Sequence, residues 1–209
     1  MATSRSDDRL KVFRVRHIPG QSGHRALKEL LRRLLALDED YNGLQIQSLA
    51  TDAIKPQNRV ATICFDHIPD RLSEKMSTTS TCELEFDDDE AARSCYLLFD
   101  ENFLGLTTLA FPEEGHTVEY GLEYPYIITA NSHSVIAVSG LAGHAFGSFK
   151  QRKGDYMWLR DALPNDLKGA RIMIYGYDSH LSGSNNFQDL EAVGGSFVRG
   201  IQTIEERVR

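Results

Sequence analysis

The stretch Ser139-Gly140-Leu141-Ala142-Gly143-His144 has residue types that could do chemistry. A Gly-rich turn placed directly after an apolar strand can aim backbone N–H groups at a developing negative oxygen, the oxyanion-hole task of acyl transfer. The N–H groups of Leu141 and Ala142 are the candidate donors, with Gly140 and Gly143 permitting close approach. His144 lies near Ser139 and Ser148 in sequence, but no third group is placed to orient its imidazole, so a hydrogen bond to loop backbone is its expected role. Asp178-Ser179-His180 has the composition of a catalytic triad, yet adjacent residues rarely converge on one point. Ser196, in Gly194-Gly195-Ser196-Phe197-Val198, lacks the second glycine of a Gly-x-Ser-x-Gly elbow and falls within a helical pattern; Ser148, in Gly147-Ser148-Phe149, also lacks the elbow. No catalytic nucleophile is therefore assigned. His17, His24, His67, His116, His133, His144 and His180 show no zinc-type spacing. The six acidic residues from Glu83 to Glu90 match no cation-binding loop. Neither a metal nor a cofactor is expected.

The elements that must position this loop follow from periodicity. Val135 to Ser139 is a short apolar run, expected as a strand buried on both faces. Asp155 can cap a helix carrying Met157, Trp158, Leu159, Ala162 and Leu163, ended by Pro164. Ala170 to Tyr175 predicts a second buried strand, and the two strands form one right-handed βαβ crossover. Phe187, Leu190, Gly194, Phe197, Ile201 and Ile204 recur at helical spacing and predict a long final helix with one apolar stripe. Two parallel strands and two helices make an unfinished layer: either the N-terminal sheet caps the open edge, or the chain is an incomplete version of something larger.

Upstream, residues 1–10 read as a disordered polar tail. Val12 to His17 predicts a strand, broken by Pro19-Gly20. Ser22 can cap a helix to about Leu37 with Leu27, Leu30, Leu31, Leu34 and Leu35 on one face. Leu44 to Leu49 and Arg59 to Phe65 predict two more strands. This β-α-β-β order is that of a split-βαβ, ferredoxin- or RNA-recognition-like unit over residues 11–111. Residues 70–95, with a Ser/Thr tract and the acidic run, read as a solvated linker. Cys95 to Phe99 and Phe103 to Phe111 predict strands that form a hairpin or complete the N-terminal sheet. RNA-recognition modules stack bases on aromatics of two central strands. Here Arg14, Val60 and Thr62 occupy those positions, so a protein-contacting or structural role is preferred over RNA.

The series Val135–Phe149, Tyr156–Pro164 and Ala170–Ser179 closely resembles the lipase-like α/β-hydrolase domains on the N-terminal side of many fungal NLR-like and ankyrin-repeat proteins. These are related to the serine-active-site-containing proteins of mitochondria and endoplasmic reticulum. The resemblance is specific over about residues 135–200 and weaker over the N-terminal unit. It implies an α/β fold in which the split-βαβ unit precedes a partial α/β-hydrolase-like parallel sheet over 135–209. It also implies an acyl-ester substrate in a full-length form, and ester cleavage or signalling in fungal self/non-self response. The family pattern calls for a strand and a Gly-x-Ser-x-Gly elbow after the final helix; neither is present, so the expectation is a truncated scaffold, catalytically silent alone. Residues 112–134 read as a loop or insertion. Within them Tyr120 to Ser134 departs from the family: it is either a strand-bearing insertion, with Tyr126-Ile127-Ile128-Thr129 of β character, or translated non-coding sequence.

With 209 residues, a net charge of −7 and 41% hydrophobic residues, the chain can bury a core and lacks the basic surface of a phosphate-backbone binder. No transmembrane run and no secretory leader is read, and Cys64, Cys82 and Cys95 are expected as reduced cytoplasmic thiols. The resemblance offers mitochondrion or endoplasmic reticulum, membrane-associated, as the alternative compartment. The alternative function is an adaptor that contacts a protein partner through the N-terminal unit.

Overall fold

A computed structural model of the chain describes residues 11–38, 40–88, 93–112, 133–140, 143–152, 154–178 and 187–208. The tail 1–10 and most of the 112–134 segment, including Tyr126–Thr129, lie outside the described residues. Among the described residues eight strands fall into two sheets, and the fold is mixed α/β.

The first sheet has five strands in the order β2-β3-β1-β5-β4: β1 (Val12–Pro19), β2 (Leu44–Thr51), β3 (Asn58–Phe65), β4 (Thr81–Asp88) and β5 (Arg93–Asp100). All its pairings are antiparallel. β3 lies between β1 and β2, which therefore run parallel to each other, joined by helix α1 (His24–Leu35). The strand residues alternate between two faces. Phe13, Val15, Ala61, Ile63, Phe65, Leu97 and Phe99 pack with Leu27, Leu31, Leu34 and Leu35 of α1 and Leu72 of α2 (Asp70–Met76) in one apolar core.

Several expectations change here. Ser22 does not cap α1; Gly23 holds that position without a side-chain bond, and Ala36, at φ 52°, ends the helix before Leu37. Residues 70–95 are not a linker. They hold α2, β4 and the start of β5. Inside the acidic run, Cys82, Leu84 and Phe86 are buried while Glu83, Glu85 and Asp87 are exposed, so period two was present beneath the charge. β5 completes this sheet, but it makes no hairpin with β6 (Gly105–Ala110).

β6 opens the second sheet, order β6-β8-β7, with β7 spanning His133–Val138 and β8 Ala170–Gly176. β7 is parallel to β8 and β6 antiparallel. β6 thus covers the β8 edge that the sequence left open, and the chain passes from the first sheet to the second between β5 and β6. β8 is buried throughout, whereas β7 is half-exposed and not buried on both faces. Ile172 and Ile174 face Phe103, Phe146, Met157 and Leu159 on one side of the sheet. On the other side Met173 meets Ile204 of α5 (Phe187–Val208) and Ala53 from the β2–β3 connection. A side chain at Gly200 would press on Leu106 Cδ1 at 3.0 Å, so this glycine lets α5 lie close to β6. The expected helix after Asp155 is two short turns, α3 (Trp158–Asp161) and α4 (Leu163–Asp166), and Pro164 sits in the first turn of α4 instead of ending a helix. The cap is local: the Met157 N–H donates to Asp161 Oδ2 at 2.7 Å.

The two sheets meet across polar side chains. Arg14, only 1% exposed, donates from Nε to Asp100 Oδ2 (2.8 Å), from Nη1 to Thr107 Oγ1 (2.7 Å) and from Nη2 to the Leu104 carbonyl (2.9 Å). Asp100 Oδ1 accepts the Phe103 N–H at 2.8 Å and fixes Phe103 at φ 54°, turning the chain from the first sheet into the second. The Ala53 N–H donates to Thr108 Oγ1, and Ser48 and Thr62 share a buried hydroxyl pair at 2.7 Å. Burial lowers the Arg14 pKa; the Asp100 charge opposes it, Arg16 reinforces it, and the Asp100 hydrogen bond opposes it again. Arg14 is nonetheless a strong base held by three acceptors, so it remains a cation at neutral pH.

Candidate functional site

The C-terminal ends of β7 and β8 lie side by side because the strands are parallel, with Val138 opposite Tyr175. In α/β sheets this is where loops gather ligands. The chain leaves β7 at Ser139 and turns immediately: the Gly143 N–H donates to the Gly140 carbonyl at 3.0 Å. Ser139 Oγ donates to the Gly143 carbonyl at 3.3 Å, and Tyr177 Oη donates to the Ser139 carbonyl at 3.0 Å. The turn is thereby tied to the end of β8.

Gly143 does make a close approach, but to its own loop. A Cβ there would lie 2.7 Å from Ser148 Oγ and 2.9 Å from the Gly140 oxygen. Gly140 has open space around it. Leu141 and Ala142, the residues expected to donate to an oxyanion, lie outside the described residues.

His144 is a loop organiser. Its Nδ1 accepts the N–H groups of Phe146 (3.2 Å) and Gly147 (3.0 Å). Nδ1 therefore carries no proton, and Nε2–H donates to the Glu101 carbonyl at 2.7 Å. Both ring nitrogens are engaged with backbone, which leaves none to take a proton from Ser139 or Ser148. The ring also packs edge-on against Phe103, with centroids 5.6 Å apart.

The hydroxyl of Ser196 is likewise engaged. Ser196 lies within α5 and donates to the Ala192 carbonyl at 2.9 Å, while accepting from Arg199. Ser148 is in a single 3-10 turn, Gly147–Phe149. Asp178 ends the described part of β8's exit; Ser179 and His180 lie outside it. Among the described residues no three His, Cys, Asp or Glu side chains gather in a metal-binding group, and the three cysteines are free thiols. The RNA-stacking positions Arg14, Val60 and Thr62 are all buried, at most 2% exposed.

Sequence reasoning missed Tyr175 and Tyr177. Tyr177 also lines a groove of about 360 Å³, bounded by Leu104, Leu106, Tyr175, Val193 and Ser196. The two tyrosine rings stack at 6.5 Å, and Tyr175 Oη donates to the Val193 carbonyl at 3.3 Å. Burial pushes the Tyr175 phenol up, against the pull of Arg199. The usable signal was position: Tyr177 immediately follows a predicted buried strand, at the end where such sheets hold ligands. No helix among the described residues is long and apolar enough to cross a membrane. No protein-family model, no curated protein and no solved structure matches this chain.

Proposed function

We propose that this chain is the oxyanion-side part of an acyl-hydrolase-like scaffold, in which a ferredoxin-like split-βαβ unit is followed by a partial α/β-hydrolase-type sheet. An acyl ester is the substrate class of the full-length form, and among the described residues no serine is placed as an attacking hydroxyl. The observation that carries this reading is the turn at Ser139–Gly143. It closes at the carboxyl end of a parallel strand and is tied to the neighbouring strand by Tyr177, a residue that also lines a groove. A cradle for negative oxygen belongs at such a place, because backbone N–H groups held in a fixed turn need no reorganisation as charge develops. The engagement of Ser196 and of both His144 nitrogens supports the absence of a nucleophile–base pair.

Two measurements test the reading. A fluorophosphonate probe should label no serine of residues 1–209; labelling of Ser139, Ser148 or Ser196 would overturn the silent assignment. Titration with a short alkylphosphonate, an oxyanion mimic, should shift backbone amide resonances of residues 139–147 and Tyr177. Shifts confined to other residues, or none, would sink the cradle.

The adaptor reading is supported by a different surface. Glu83, Glu85 and Asp87 project from β4 beside Tyr96, which is 40% exposed. Retention of a protein partner that is lost on Glu83→Lys with Glu85→Lys would favour that reading. Cytoplasmic residence is part of the proposal and rests on the three unpaired thiols.

A further inference from the structure

We infer that the loop just before α3 is a docking surface for an acidic protein segment, which lies across Tyr156 and Trp158 with its carboxylates on Arg152. The inference stands apart from both the acyl-transfer reading and the β4 surface.

The loop doubles back on itself. Lys150 bridges Met157, and the Gln151 N–H donates to the Tyr156 carbonyl at 2.8 Å. Met157 is extended and fully buried, in the core with Phe103 and Phe146. Alternation therefore turns its two neighbours in the chain away from that core. Tyr156 is 50% exposed, and Trp158, the chain's only tryptophan, is 46% exposed. Polar ties hold the loop in this form. Lys150 Nζ pairs with Asp155 at 3.3 Å, while Arg160 donates to the Asp155 carbonyl and to Gln47 Oε1 of β2. The two rings are thus displayed on backbone that is already fixed, so a partner covering them has little chain to order.

The chemistry of the partner follows from the side chains and the local charge. Neighbouring exposed aromatics mark contact surfaces, and Trp, Tyr and Arg are the side chains that contribute most at protein interfaces. By sequence, residues 150–160 carry Lys150, Arg152, Lys153 and Arg160 against Asp155 alone, in a chain of net charge −7. Lys150 is paired with Asp155 and Arg160 with Asp161, whereas Arg152 is exposed and joins no ion pair among the described residues. A long polyanion, or an anionic membrane, meets the negative field of the whole chain; a short acidic segment meets only these local cations. Its apolar side chains gain area on the two rings, and its carboxylates fix its direction at Arg152.

The test pans a random dodecapeptide library on the full 209-residue chain and titrates the recovered peptides against Trp158 fluorescence, which no other tryptophan obscures. The peptides should be acidic with at least one large apolar residue, should shift the emission to the blue, and should slow its quenching by acrylamide. Arg152→Glu and Tyr156→Ser, both at exposed positions, should each weaken binding at least about fivefold while leaving the urea midpoint in place. Added salt should weaken binding to the parent more than to Arg152→Glu. The proposal falls if the library yields no peptide or only basic and neutral ones, if acidic peptides bind without moving the Trp158 emission, or if Arg152→Glu binds them as the parent does. It falls too if Trp158 of the free chain resists quenching as a buried ring does. A single-stranded DNA oligonucleotide, or phosphatidylserine vesicles, that move the emission where the acidic peptides do not would give the surface to another partner and overturn the inference. Failure here leaves the alkylphosphonate result untouched, because that experiment reads residues 139–147 and Tyr177.

Discussion

The two sheets of this chain answer the same problem in different ways. The five-stranded sheet is finished by local means: α1 and α2 cover one face, polar contacts tie the other to the second sheet, and acidic residues line β4, one of its two outer strands. The three-stranded sheet has a central strand buried throughout and an outer strand, β7, that is apolar and half-exposed. The contact between them holds, beside the apolar patch of Ala53, Met173 and Ile204, a buried cation with three acceptors. An apolar seam would tolerate sliding; a guanidinium fork fixes one register, because each displaced bond leaves a buried charge or dipole unpaired.

The sharpest way to break the comparison is to remove the acceptor. Asp100→Ala leaves Arg14 buried beside Arg16 and frees the Phe103 N–H. We expect a loss of about 3–5 kcal/mol in urea unfolding, with both sheets affected together. Arg14→Met with Asp100→Asn removes the charges as a pair and keeps an acceptor for Phe103, so it should cost less than the single change. A loss below about 1 kcal/mol for Asp100→Ala would mean that the two sheets do not depend on this contact.

Gly176→Ala comes next. At the end of β8 a new Cβ would overlap the Phe103 carbonyl and press on Ala145 Cβ at 3.0 Å. Backbone must move, at a cost of about 3 kcal/mol. Gly140→Ala, at the open glycine of the candidate turn, should change stability by less than about 0.5 kcal/mol. Equal effects from the two glycines would erase the distinction between a packed strand end and an open turn. His144→Ala removes the acceptor for two N–H groups and the link to Glu101. A loss of about 1–2 kcal/mol is expected, with faster exchange at Phe146 and Gly147; unchanged exchange there would deny the histidine its organising role.

How much of this was legible depends on whether the signal was local. The stripe Leu27, Leu31, Leu34 and Leu35, the β-branched run of β3 and the apolar run of β8 each determine their element within a dozen residues, and they are helix and strand as read. β4 was readable but obscured, because its carboxylates drew attention from Cys82, Leu84 and Phe86 on the other face. The destination of β6 was not readable. Its partner β8 lies more than sixty residues away, and Leu106, Thr107 and Thr108 suit either sheet. Nor was the burial of Arg14, since arginine in a strand reads as a solvent-facing residue until Asp100, Leu104 and Thr107 converge on it. At the candidate site the glycines and His144 stood out by composition, whereas Tyr177 stood out only by where β8 ends.

The smallest expected effect lies at the rim of the first sheet and is set by pH. His17 occupies a bulge in β1 at φ 63°, with its ring edge-on to Tyr96 at 4.7 Å. Burial lowers its pKa below 6.5, the positive charges of Lys55 and Arg16 lower it further, and Asp52 and Glu83 oppose them. The unfolded chain therefore takes up the proton at a higher pH than the folded one. The stability linked to this group is complete above about pH 7 and is lost as pH falls through the folded value. His17→Asn keeps a residue that tolerates positive φ and removes the titration. The urea midpoint of the parent chain should fall between pH 7 and 5 more steeply than that of the variant, while a variant at the second sheet such as Val138→Lys keeps the parent's slope. Parallel profiles for the parent and His17→Asn would place the acid sensitivity elsewhere and remove this asymmetry between the sheets.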